Sequence, residues 1–187
     1  MSLPEDKLER WCDVLREVHT VERYLGKSLS LFAEIESEIN NANRDEDKEH
    51  TLVLAFQHAL QRGYASVEVI LKRIFVMHQE PVPEGEMWRQ DCLMKAFEAT
   101  SHRVAIFSAQ FKDDMDILRG FQHVAAHSYD DFSFRLAVPV AESVKRILPE
   151  FRVTLERFIA KQEDVEFPAG VENDTHEICT KSRDGVN

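Results

Sequence analysis

Apolar residues recur at helical spacing from about His50 to Met77. Leu52, Phe56, Ala59, Leu60, Gly63, Val67, Ile70, Leu71 and Ile74 all fall on one stripe. A strand would alternate with period two and would seldom run so long, so this stretch is a helix with one buried face. A one-sided helix must bury that face against other elements. Gly63 sits inside the stripe, where glycine costs about 1 kcal/mol relative to alanine, so its presence points to a close helix–helix approach. Only six glycines and six prolines are present, too few for the many tight turns of a sandwich or barrel.

The remaining stripes agree. Leu8, Trp11, Cys12, Leu15, Val18 and Leu25 form one, with Glu22 as a polar lapse. It pauses at Gly26 and resumes at Leu29, Phe32, Ile35 and Ile39, which reads as one long kinked helix or two in line. Ser2 and Glu5 have capping-box spacing ahead of it. The polar run Asn40 to Asp47 reads as a loop. Pro81, Pro83 and Gly85 end the second unit, and Trp88, Leu93, Ala96 and Phe97 mark a shorter helix. Ser101 to Ser108 begins another. Met115, Leu118, Phe121, Val124 and Ala125 give a further apolar side, with Asp113, Asp114 and Asp116 near the positive end of that helix. The last helix is expected from about Pro139 to Lys161, kinked at Pro149. The expected fold is all-α, an up-and-down bundle of about five helices over residues 1–161, with a flexible C-terminal tail at 162–187.

Charge narrows the function classes. The formal net charge of -11 opposes tight nucleic-acid binding by charge alone. It leaves room for RNA at a small local site or for a basic partner. Cys12, Cys92 and Cys179 are odd in number and widely spaced, which suggests no disulfide framework and a reducing, cytoplasmic setting. No apolar run approaches the ~18 residues of a membrane span, and no secretory leader is expected at the acidic N-terminus.

Chemically capable side chains converge in Gly120-Phe121-Gln122-His123-Val124-Ala125-Ala126-His127-Ser128-Tyr129. His123 and His127 lie one turn apart on one helical face, as in zinc sites. A metal needs a further ligand; Asp130 or Asp131 could supply one, but no second metal motif is visible and no cofactor is expected. His127 can act as a general base near neutral pH. Tyr129 can donate a hydrogen bond or accept a modification on its hydroxyl. Cleavage of RNA through its own 2′-hydroxyl also needs a cation for the charge that builds on phosphate. The nearest is Arg119, two turns and about 12 Å of axial rise before His127, and its side chain leans the other way. The plain alternative is a polar helix face without chemistry. Trp11, Trp88 and Tyr64 could stack bases, although at helical spacing such residues are more often core or interface. Gln57, His58, Gln61, Arg62 and Glu68 line the polar side of the second long helix, where they could face the site or simply meet water. Asp45 to Asp47 lacks the glycine and terminal glutamate of a calcium loop.

Phe121 to Tyr129 resembles the signature of HepT-like members of the HEPN superfamily. There an arginine stands five positions before a histidine, and a tyrosine often follows two residues later. Ala59-Leu60-Gln61-Arg62 followed by Glu68 is similar to the family's second helix. Trp88 to Leu93, running on through Arg103-Val104-Ala105-Ile106, resembles a further family segment, and Leu118-Arg119-Gly120-Phe121 leads into the signature. The resemblance spans roughly residues 5–160. It implies a helical bundle that dimerises with two signature helices facing each other, and metal-independent RNA cleavage by arginine and histidine. It also implies pairing with a minimal nucleotidyltransferase antitoxin, which in some systems adds AMP to the signature tyrosine, here Tyr129.

The sequence departs at one decisive position: Gln122 stands where the family has its arginine, and Ala126 where another basic residue is frequent. His127 and Tyr129 carry over; the arginine role does not. Losing one electrostatic donor typically costs about 2.7–4 kcal/mol in an active site. The expected function is that of a toxin–antitoxin type partner protein, likewise cytoplasmic, with ribonuclease activity weakened or lost. The alternatives are an active ribonuclease using His127 with Gln122, His123 or Arg119 of a second subunit, and a non-enzymatic helical adaptor.

Overall fold

A computed structural model describes residues 5–127 and 134–163, with backbone alone at 5–6 and 122–127. Five α-helices follow in order: α1 Glu5–Ile39, α2 Glu46–Met77, α3 Trp88–Ala96, α4 Lys112–His127 and α5 Phe134–Glu163. A short 3-10 turn at Ala109–Phe111 precedes α4, and no strand occurs among the described residues. The all-α bundle expected from the stripes is the fold found. The long helices α1 and α2 pack along each other; α5 lies against α1 and α4, and α4 also touches α2. One apolar core joins them, with Trp11, Phe56, Phe75, Phe107 and Phe151 each at most 2% exposed.

Gly63 marks the α1–α2 contact. A Cβ there would stand 2.7 Å from Leu25 Cδ2 and 3.0 Å from Leu25 Cγ, so the helices meet closely and a methyl would have to displace the buried Leu25 side chain. Gly26 has the opposite character: a Cβ would meet only Leu148 Cδ2 at 3.9 Å. The two readings of the first stripe resolve to one helix, because Leu25, Ser28 and Phe32 stay buried across Gly26. Ser28 satisfies its hydroxyl by donating to Leu25 O at 2.7 Å.

Other boundaries shift for local reasons. α2 begins at Glu46, about four residues before its apolar stripe, because the Asp45 side chain accepts from Lys48 N at 3.1 Å and Glu46, Asp47 and Glu49 fill the first turn. The expected loop at 40–47 is correspondingly shorter. α5 begins at Phe134, before Pro139, and contains both Pro139 and Pro149. Both rings lie on the exposed side, where the carbonyl four residues earlier can turn to water. α5 runs to Glu163, two residues past the expected end.

The helix expected from Ser101 does not form. The chain there wraps around Arg103, whose side chain is fully buried. Its guanidinium donates to the carbonyls of Lys95 (2.8 Å), Glu98 (2.9 Å) and Val104 (3.1 Å). Lys95 contributes one of the last carbonyls of α3, which lack a donor four residues on, so the side chain supplies part of what a further helical turn would have supplied. Glu80 balances the charge, accepting from Arg103 Nη2 at 3.3 Å and from Thr100 Oγ1 at 2.8 Å.

Cysteine chemistry also departs from expectation. Cys12 is disulfide-bonded, where no disulfide framework was expected, and Cys92 is a buried free thiol. Linear spacing carries no information about which Cβ atoms approach within bonding range. No helix among the described residues is long and apolar enough to cross a membrane.

The two glycines of α2 and α4 predict opposite outcomes. Gly63→Ala drives a methyl into Leu25 and should lower the midpoint of thermal unfolding, overpacking of this kind costing about 1–3 kcal/mol. At Gly120 a Cβ meets nothing within 4 Å. Gly120→Ala should therefore leave the midpoint unchanged or raise it, by up to about 1 kcal/mol of helix propensity. Calorimetry on the two variants checks both signs.

Candidate functional site

Residues 120–127 of the stretch singled out in the sequence lie on α4. That helix is fixed by its apolar side: Met115, Leu118 and Phe121 are buried, and the Phe121 ring meets Phe56 of α2 edge-on at 6.0 Å. A polar clamp joins it to α5. Arg146 Nη2 donates to Asp114 Oδ1 at 2.6 Å, and Arg146 Nε donates to Asp114 Oδ2 at 3.0 Å. This paired geometry, with burial opposing it, holds the Asp114 carboxyl below its usual range.

From this anchored half the helix continues unbroken through Gln122, His123, Val124, Ala125, Ala126 and His127. The backbone therefore sets residues 123 and 127 one turn apart, and 122 and 127 about 7.5 Å apart along the axis. Tyr129, Asp130 and Asp131 lie outside the described residues.

Arg119 is placed in detail. Its Nε donates to Asp116 Oδ1 at 2.8 Å, one turn toward the N-terminus, and its side chain is 24% exposed. The lean expected of helical side chains is the one found. Within this chain its charge is matched by Asp116, away from position 127.

The facing side of α2 is drier than its composition suggests. Gln57, Gln61, Tyr64 and Glu68 follow at helical spacing along one face. Gln57 is 3% exposed, and neither amide atom has a hydrogen-bond partner among the described residues. Tyr64 is buried, and burial together with the charge of Glu68 pushes its phenol well above the usual range. Glu68 is 7% exposed; burial raises its carboxyl despite an ion pair to Arg89 Nε at 3.1 Å. His58 and Arg62 are exposed. Thus the polar residues of α2 divide: His58 and Arg62 in water, Gln57 and Glu68 in the protein interior, and Gln61 between them.

The aromatic platform does not assemble. Trp11 and Tyr64 are core residues, and Trp88 is half-buried at the start of α3 with Lys72 Nζ 3.6 Å from its ring centroid. Sequence reasoning missed the Asp114–Arg146 clamp and the Arg103 hub. Both join charges far apart in sequence, and nothing local marks such a pair.

An all-α bundle whose signature segment continues a helix anchored to two neighbours is the architecture the resemblance implies. The family model for HepT-like protein matches residues 55–162, more than half the chain, and the chain belongs to this HepT-like family of the HEPN superfamily. The match runs from α2 to the end of α5 and includes the whole signature helix. No curated protein and no solved structure matches the chain.

The buried carboxylate of Glu68 gives a prediction with a definite sign. Its folded-state pKa is raised, so the folded state holds its proton more tightly than the unfolded state, and stability is lost as pH rises from the unfolded value through the folded one. Glu68→Gln removes that loss. The variant should unfold at higher temperature than the native chain at pH 7. The difference should close toward pH 4, as thermal melts across that range would show.

Proposed function

We propose that this chain is the HepT-like half of a toxin–antitoxin type pair, with an RNA-cleaving centre reduced by the loss of one charge. The observation that carries this is the arginine position of the signature, occupied by Gln122, on a helix whose nearby Arg119 is turned back to Asp116.

The chemistry follows from what each residue can do. His127 takes the proton from a ribose 2′-hydroxyl, whose oxygen then attacks the adjacent phosphate. Negative charge grows on the phosphate oxygens as the 2′-oxygen adds; the bond to the 5′-oxygen then breaks, that oxygen leaves with a proton from water, and a 2′,3′-cyclic phosphate remains. An arginine at position 122 would meet that charge with a two-pronged cation; glutamine offers only a neutral N–H. His123, one turn from His127, is the remaining group on the same face able to carry a proton or a charge. Two copies dimerise with their signature helices across a cleft, which is where Arg119 of the second copy would have to act. The partner is a minimal nucleotidyltransferase, and Tyr129 is the hydroxyl that accepts AMP. Residues 1–161 carry these roles.

The test is RNA cleavage by purified native chain, Gln122→Arg, and each combined with His127→Ala. Native chain should cleave little. Gln122→Arg should gain about 10²-fold or more, the usual worth of one such donor, and the gain should vanish with His127→Ala. Strong cleavage by the native chain, abolished by His127→Ala, would sink the weakened-centre reading in favour of an active enzyme. For the partner, co-purification with a nucleotidyltransferase encoded beside this gene is expected, with an AMP adduct mapped to Tyr129 and absent in Tyr129→Phe.

A further inference from the structure

His78 ends α2 at a place where three helices meet. Its backbone N–H caps the helix on the carbonyls of Ile74, Phe75 and Val76. Its ring lies 6.2 Å from that of Trp11 on α1 and 6.1 Å, edge-on, from that of Phe158 on α5. Trp11 and Phe158 in turn meet at 6.0 Å. Histidine is the one member of this aromatic trio that takes up a proton near neutral pH. Its Nε2 is buried and has no hydrogen-bond partner among the described residues. Whichever nitrogen carries the hydrogen in the neutral ring, the charged ring has a donor at both and needs an acceptor for each. Burying an unpaired charge costs far more than burying an unpaired neutral nitrogen.

The carboxylates around the ring are already engaged. From α5 comes Glu163, which accepts from Trp11 Nε1 at 3.3 Å and pairs with Lys7 of α1. From the turn after α2 comes Glu80, held by Lys95 at 3.1 Å, by Arg103 at 3.0 Å and by Thr100 at 2.8 Å. Neither is free to accept from a newly charged imidazole without giving up a partner. Burial, the largest influence, holds the His78 ring below the ordinary histidine range; Arg103 and Lys7 push the same way, against Glu163 and Glu80.

The last turn of α5 reaches further than this seam. Gln162 Oε1 accepts from the Val104 N–H at 3.1 Å, and Gln162 Nε2 donates to His102 O at 3.0 Å. One turn of helix thus holds α1 through Glu163 and the segment before α4 through Gln162. Whatever dislodges Glu163 acts on both contacts, because the two residues are adjacent on one backbone.

We propose that His78 is an acid-sensitive latch: a proton on its ring breaks the junction of α1, α2 and α5, and frees the last turn of α5 and residues 102–104 together. The charged ring must either draw Glu163 from Lys7 and Trp11 or leave the aromatic seam for water. Both routes loosen the same contacts. The sign follows from linkage. The closed junction binds the His78 proton more weakly than an opened one does. Closure is therefore at full strength above the ordinary histidine pKa and weakens as pH falls below it. The first half of α5 lacks this sensitivity, since Arg146 holds the Asp114 carboxyl below its usual range and keeps that clamp ionised. The latch does not depend on the catalytic state of the signature helix.

Amide hydrogen exchange on the full-length chain, corrected for the intrinsic pH dependence of exchange, tests this at about pH 7.5 and about pH 5.5. Protection of residues 155–163 and of the Val104 amide should fall severalfold between the two, while residues 140–151 of the same helix keep theirs. His78→Gln and His78→Phe both retain the backbone cap, and in each the protection should stay constant across the range. In the native chain the His78 Cε1 proton, followed by NMR, should titrate below the ordinary histidine value of 6.5. The latch is overturned if the native chain shows no fall, or if His78 titrates at or above that value. It is equally overturned if the fall persists in either variant, which would assign it to another group such as the exposed His102. Loss of protection at 140–151 in step with 155–163 would also overturn it, as the mark of unfolding of the whole bundle.

Discussion

The close approach of α1 and α2 at Gly63 is the contact on which the rest of the bundle rests. With no Cβ at that point, the Leu25 side chain sits almost on the α2 backbone. The two longest helices are thereby drawn together along most of their length. Their common surface forms the floor on which α4 and α5 lie. Phe32 shows the consequence: its ring is within 6.0 Å of Phe56 on α2 and 5.1 Å of Phe134 on α5. A wider α1–α2 spacing would open a void beneath both, and voids in a packed core are costly.

α4 inherits its position from that floor and from a second constraint of a different kind. Apolar packing at Met115, Leu118 and Phe121 fixes its rotation, since only one face can turn inward. The Asp114–Arg146 pair then fixes its slide along α5, because a two-pronged hydrogen bond tolerates little displacement. Both anchors act on the first half of the helix. Positions 122–127 are carried beyond them as a helical extension, so their backbone geometry is decided by residues that have no chemical role of their own.

The fold was legible in the sequence because its information is periodic. Stripes of Leu, Ile, Val and Phe gave the helices, and the cost of a mid-helix glycine gave the contact at Gly63. What escaped was whatever depends on one side chain meeting a distant one. Arg103 ends the region after α3 by collecting carbonyls, so Ser101 to Ser108 is a turn around a guanidinium although its apolar spacing reads as helix. Asp45 starts α2 before its stripe does. Both prolines of α5 face water, where the penalty that would break a buried helix is small. The site was legible in part: the helix bearing Gln122, His123 and His127 and the direction of Arg119 followed from helical geometry, and the family followed from the order of short segments. The burial of Gln57 and Glu68 did not, because a polar residue at helical spacing reads the same wet or dry.

On the proposed function, the loss of one arginine matters more here than it would on a neutral protein. A chain of charge -11 presents a field that disfavours an approaching phosphate backbone, and only charges close to the site can reverse it within a Debye length of about 8 Å. A signature arginine would serve twice, drawing the phosphate in and stabilising it as it reacts. With glutamine at 122 and alanine at 126, neither position supplies the local reversal, and Arg119 is already matched by Asp116. The same balance does not disfavour a protein partner, whose basic groups it would attract. Under the proposed function, electrostatics therefore ranks the two roles: association with a basic partner protein would keep its driving force, whereas cleavage of RNA would lose steering and transition-state charge together.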